Sequence, residues 1–222
     1  ILSRHLLKDA FAALNLRTFV STALAGLAVV AVAATPIQTR ADIATFEDAT
    51  KEMVVGNADA PLTIIEYASL GCPHCANFHH DVYPSLKKDY IDTGKAKLVF
   101  RDFPLGTPAL AATMIARCGG PKRYFGFIDI FFRAQAQWSR SENPLEALTK
   151  TARFGGMSAD DVNACIRNQK LLDHVQAAKK TAFEKDGVNA TPYFVIGSHK
   201  QSGGLPYDDF KKIVESELAK VN

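Results

Sequence analysis

The 222-residue sequence has no glycine-rich nucleotide loop, no hydrolase triad motif and no internal repeat. Phosphate cradling, serine-type acyl transfer and solenoid architectures are thereby excluded as organising themes. Neither sign of charge is in excess: 26 basic and 23 acidic residues leave a net +3, of which Arg4, Lys8 and Arg17 against Asp9 supply most. Beyond position 34 the balance is 23 basic to 22 acidic, so no nucleic-acid partner is expected. Cysteine is scarce as well, with four residues: Cys72, Cys75, Cys118 and Cys165. There is no second Cys-x-x-Cys to complete a zinc site. His79 and His80 could supply one more ligand, but no fourth is evident, so no metal is expected. Ala76 stands where a c-type haem attachment would require histidine.

Long apolar runs are confined to one place. Phe19 to Ala34 is continuously small and apolar, no charged residue occurs between Thr18 and Gln38, and three basic residues precede it. That is the layout of a secretory signal, with small residues around Ala31, Ala33 and Ala34 suited to cleavage. An uncleaved anchor is the alternative, because the run is near the lower length limit for a bilayer span. Six alanines among the 17 residues from Thr18 to Ala34 favour cleavage. Export would place the chain where disulfides persist, and an even cysteine count beyond the leader suggests two pairs.

What is present centres on Gly71-Cys72-Pro73-His74-Cys75. Leu62 to Ala68 is short, apolar and β-branched, as in a buried strand, while Ala76 to Tyr90 repeats apolar residues at helical spacing. Cys72 should therefore lie at the mouth of a helix with Cys75 one turn in. Unpartnered backbone N–H groups there carry partial positive charge and favour a thiolate, which is both nucleophile and leaving group in disulfide exchange. Pro73 suits the first turn, and the His74 imidazole could donate to the sulfur. Cys118 and Cys165, 47 positions apart on expected helices, read as a structural disulfide worth about 4 kcal/mol on the chain-entropy model. A regulatory pair that exchanges with Cys72 and Cys75 is the alternative.

In chain order, residues 35–50 look like a flexible linker and Met53 to Gly56 like a first strand. Pro84 predicts a kink or break near residues 81–83, and Ala96 to Phe103 is a third strand. From Thr107 to about Lys185 the pattern is helical, about five helices, with Thr107-Pro108 and Asn143-Pro144 as capping pairs and Ser158 to Asp161 as a capping box. Gly119-Gly120 and Gly155-Gly156 look like helix stops. Phe125, Phe127, Ile128, Phe131, Phe132 and Trp138 read as core, with a peptide groove as the alternative. Tyr193 to Ile196, a partner ending at Gly203-Gly204, and a helix from Tyr207 complete an α/β mixed sheet with an inserted all-helical domain. The divisions are 1–34 leader, 35–50 linker, 51–105 and 187–222 as two halves of the sheet domain, and 106–186 as the insert.

The stretches GNADAPLTIIEYASLGCPHC, GVNATPYFVIG and GGLPYDDFKKIVES resemble the DsbA family of exported bacterial thiol–disulfide oxidoreductases, which have a thioredoxin fold. The resemblance covers about Met53 to Val221. It implies that Cys72 is the attacking cysteine, Cys75 the resolving one, His74 a stabiliser of the Cys72 thiolate and Glu66 a buried acid assisting proton transfer. Pro192 matches a cis-proline and, with Thr191, a substrate-binding loop; an ordinary trans turn is the bland alternative. The redox-active disulfide would be the only cofactor. Also implied are a periplasmic location, reduced or unfolded secretory proteins as substrates, and a membrane reoxidising partner of DsbB type. The short spacing between leader and fold leaves no room for a dimerisation domain, so a monomer is expected. Thr191 ahead of the proline is associated more with isomerase or reductase members. Electron flow in either direction stays open with oxidase as the main reading, and a non-catalytic binding or assembly factor is the alternative of another class.

Overall fold

The computed structural model describes residues 43–221; the expected leader and the first part of the linker lie outside the described residues. Among the described residues no helix is long and apolar enough to cross a membrane. A five-stranded mixed sheet organises the rest, in the order β1-β3-β2-β4-β5. Strand β1 is Met53–Val55, β2 Leu62–Ala68, β3 Ala96–Asp102, β4 Tyr193–Ile196 and β5 His199–Ser202. Only β2 and β3 are parallel, paired from Leu62 opposite Ala96 to Ala68 opposite Asp102. The β-branched run in β2 takes the centre, where burial on both faces suits a strand without polar alternation. Its C-terminal end delivers the chain to the two cysteines.

The following helix starts as α2 (Pro73–Asn77) and α3 (Tyr83–Leu86), separated and followed by the π-helical turns Phe78–Val82 and Lys87–Ile91. Pro84 therefore does not break the helix. The wider turn takes up the proline: the Tyr83 N–H donates back to Phe78 O and the helix resumes with Pro84 in its first turn. Phe78, Val82 and Leu86 pack with Leu62, Ile64, Phe194 and Ile196 under the last helix.

Between β3 and β4 lie six α-helices rather than about five: α4 (Thr107–Cys118), α5 (Gly120–Arg133), α6 (Gln135–Ser139), α7 (Pro144–Ala152), α8 (Ala159–Ile166) and α9 (Gln169–Asp186). The final helix, α10, is Tyr207–Leu218. The Asn143 cap and the Ser158–Asp161 capping box form as expected. Thr107 does not cap; Gly106, at φ +82°, turns the chain one residue earlier and leaves Thr107 inside the helix. In both Gly-Gly pairs the second glycine takes positive φ. The first clears the Phe127 ring, which a Cβ would meet at 2.7 Å from Gly119 and 2.2 Å from Gly155. Phe127, Ile128, Phe131, Phe132 and Trp138 are buried, and Phe125 packs at the edge.

The insert and the sheet share one core in which Met53, Ala68, Phe100, Cys72 and Cys75 join residues of α4, α5, α7, α8 and α9. Cys118 at the end of α4 is bonded to Cys165 on α8, with their Cα atoms 6.1 Å apart. The expected linker is corrected over its last residues. Thr45 caps a short helix α1 (Phe46–Thr50) by accepting the Asp48 N–H. Ala44 N–H donates to Cys118 O, and Arg117 donates to Ala49 O. Ala49 is buried, Ala44 packs against the core and Phe46 meets His174 edge-on at 6.4 Å, which docks a stretch whose composition is that of a tether.

Candidate active site

Beyond β2, Ser69 shapes the turn: its Oγ accepts the Gly71 and Leu105 N–H groups, and its carbonyl accepts the Cys72 N–H at 3.0 Å. Cys72 is the N-cap of α2, in extended conformation (φ −87°, ψ 120°), and Pro73 follows at the first helical position. Across from it, the Thr191–Pro192 peptide bond is cis, and the Cys72 thiol donates to Thr191 O at 3.2 Å. Gly203 N–H holds Pro192 O at 2.9 Å.

The two cysteines are both free and differ in environment. Cys72 is 7% exposed and Cys75 is fully enclosed. The Cys72 pKa is lowered to about 5, chiefly by the hydrogen bond from the Cys75 thiol, against the opposing cost of burial. Thr191 and the backbone N–H groups of Cys75 and His74 add to it. Thr191 Oγ1 is buried with no other partner among the described residues, so its proton is available to the sulfur once that is a thiolate. Burial drives the Cys75 thiol well above its ordinary range, and the Cys72 sulfur and the Glu66 charge push the same way. His74 sits exposed at the rim, and its contribution to the sulfur comes through its backbone N–H.

Glu66 lies in the sheet with no solvent exposure, and both carboxylate oxygens face His79 Nε2, at 3.0 and 3.2 Å. His79 stacks on Phe132 at a 4.5 Å centroid distance. Gln135 is buried and donates to both Leu70 O and Cys72 O, bracing the cysteine turn from the insert. No group of three or more His, Cys, Asp or Glu side chains is placed to hold a metal among the described residues.

The thioredoxin family model matches residues 48–216. The crystal structure of Wolbachia pipientis α-DsbA1 superposes with a TM-score of 0.72 at 33% identity, covering 77% of this chain and 92% of that one. The chain belongs to the DsbA family. The oxidised crystal structure of Bacillus subtilis BdbD, at 21% identity and TM-score 0.68, shares the fold over 80% of this chain and 97% of its own. A Rickettsia typhi protein that carries protein-disulfide oxidoreductase as a provisional name is 31% identical over 78% of this chain and 64% of its own length. The chain thus spans about three-fifths of the length of the rickettsial relatives it matches.

Within this DsbA-family architecture, Cys72, Pro73, His74, Cys75, Thr191 and Pro192 gather at one end of the sheet, with Glu66 behind them. Cys118 and Cys165 are bonded to each other within the helical insert. Sequence reasoning considered His79 only as a metal ligand and did not single out Ser69 or Gln135. For His79 a signal existed: it follows Cys75 by four residues, one helical turn along the same face. For Gln135 there was none, since its partners are carbonyls 63 and 65 positions away.

Proposed function

We propose that this chain is an exported protein thiol–disulfide oxidoreductase that donates a disulfide to folding secretory proteins through Cys72 and Cys75. The observation that carries the reading is the contrast between the two sulfurs. One is a stabilised thiolate at the rim, the other a sealed thiol beneath it. With the pair oxidised, a substrate thiolate attacks Cys72 Sγ, the Cys72–Cys75 bond breaks, and a mixed disulfide forms at Cys72. The substrate's second thiolate then attacks its own half of that bond. The substrate leaves as a disulfide, and two electrons stay on the enzyme as the Cys72 thiolate and Cys75 thiol. The thiolate's low pKa makes it the good leaving group. The backbone beside cis-Pro192 lies 3.2 Å from the sulfur at Thr191 O, within reach of an extended peptide seeking a strand edge.

A periplasmic location and a membrane reoxidant of DsbB type complete the proposal. The leader pattern and the bonded Cys118–Cys165 pair support an oxidising compartment. The test is to mix the oxidised protein with a reduced, unfolded secretory protein and follow substrate thiols. Stoichiometric substrate oxidation, lost in Cys72→Ser, is expected; failure of the wild type to oxidise it, or activity retained in Cys72→Ser, would contradict the reading. Binding of the unfolded protein without thiol loss would favour an assembly factor.

A further inference from the structure

Glu66 and Cys75 are both sealed from solvent, yet each half of the exchange cycle changes the protonation of Cys75. Resting on the exchange chemistry proposed above, we infer that His79 is the positioning residue through which Glu66 and Cys75 trade their proton with water. The Glu66 carboxylate meets His79 Nε2 with both oxygens, and among the described residues no lysine or arginine pairs with it. The imidazole is held by rings on three sides: Phe132 stacked, Phe100 edge-on at 5.8 Å and Tyr83 at 5.0 Å. Its Nδ1 has no hydrogen bond among the described residues. The His79 side chain keeps 6% of its surface exposed where Glu66 keeps none, so the imidazole is the pair's contact with solvent. His79 therefore bridges a closed carboxylate and the outside.

The neighbouring titratable groups do not offer another route. On α3, Tyr83 faces the imidazole, and burial raises its hydroxyl above the usual phenol range, so it keeps its proton. On α5, Tyr124 is likewise raised and donates to Asp102 on β3, which is paired with Arg117 on α4. Cys75 on α2 is the reacting group itself. When a substrate thiolate opens the disulfide, Cys75 leaves as a thiolate. The Nε2 proton of His79 passes to Glu66 as Nδ1 takes one from water, and a proton passes on from Glu66, whose charge acts on Cys75, to the Cys75 Sγ, so that the carboxylate and a neutral imidazole are restored. On reoxidation the Cys75 thiol returns its proton to Glu66 and His79 as its sulfur attacks a disulfide at Cys72. No electron passes through either residue.

The test uses the full chain with glutathione disulfide. Cys72 forms a mixed disulfide with glutathione, and the rate at which Cys75 displaces glutathione is followed by rapid acid quench between pH 6 and 8. His79→Gln keeps an N–H for Glu66 but cannot titrate. In that variant the displacement should slow by about a hundredfold at pH 7, the low end of the range for general acid–base catalysis. It should also rise about tenfold per pH unit, as hydroxide replaces the lost base. The alkylation midpoint of Cys72 should stay where it is in the wild type. A displacement rate within about twofold of wild type in the folded variant overturns the inference; so does a Cys72 midpoint that moves along with the rate, which would mark a merely structural disturbance. If His79→Gln does not fold, Glu66→Gln serves in its place: the same slowing is expected, and an unchanged rate overturns the inference. A wild type that completes the glutathione cycle but cannot oxidise a protein substrate would sink the proposed function while leaving the role of His79 standing.

Discussion

At the scale of single residues, two cysteines three positions apart are driven in opposite directions by their surroundings. Cys72 gains hydrogen bonds to its sulfur at a helix mouth, whereas Cys75, one turn inward, faces apolar packing and the Glu66 charge. Because the Cys72 pKa is about 5 in the folded protein, against an ordinary 9.0, the unfolded reduced chain binds one more proton than the folded one between those values. Reduced-state stability should therefore rise with pH across that window, by at most about 1.4 kcal/mol per unit. It is present in full above pH 9 and lost as the pH falls through 5. The oxidised form has no such group. Denaturant midpoints of the two forms should diverge from pH 5 upward, and a gap that stays constant would contradict a depressed Cys72. The sequence pattern made this contrast legible, since Cys-Pro-His-Cys after a β-branched run places one sulfur at a helix mouth. The Glu66–His79 contact was not legible, because it depends on how the helix turns over the sheet.

At the scale of elements, the cysteine helix is continuous because the π turn at Phe78–Val82 absorbs Pro84, and the insert is pinned where neither caps nor glycines foretell it. Ala134 (φ −92°, ψ 5°) divides α5 from α6 without a breaker residue; the Trp138 indole spans the break by donating to Phe131 O at 2.8 Å. That turn places Gln135 under the cysteines. Local rules for strands, the Asn143 cap and the Ser158 box were readable because they depend on neighbours within four residues. The α5–α6 break depends on tertiary packing, so periodicity missed it. The Cys118–Cys165 bond closes a long loop between α4 and α8. Replacing both cysteines by alanine should lower stability by about 4 kcal/mol, read from the denaturant midpoint. Cys72 alkylation should stay unchanged. A shifted Cys72–Cys75 potential with stability intact would instead make the second pair regulatory.

At the scale of the whole molecule, the sheet and the helical insert share one core, and the cysteine pair lies in it. The strand order and the return of the chain through the insert to β4 bring Thr191 across from Cys72, although 119 positions separate them. That meeting was inferable only by family resemblance, since nothing local in either segment points to the other. Oxidising strength follows from the same arrangement. Whatever stabilises the Cys72 thiolate stabilises the reduced form, and about 1.4 kcal/mol corresponds to roughly 30 mV for a two-electron couple. The most direct test is the reduction potential of the Cys72–Cys75 pair, measured by equilibrating the full chain in glutathione buffers at pH 7. A pair more oxidising than glutathione, remaining reduced in buffers rich in glutathione disulfide, is the predicted result. A potential at or below that of glutathione would make the protein a reductant and contradict the account.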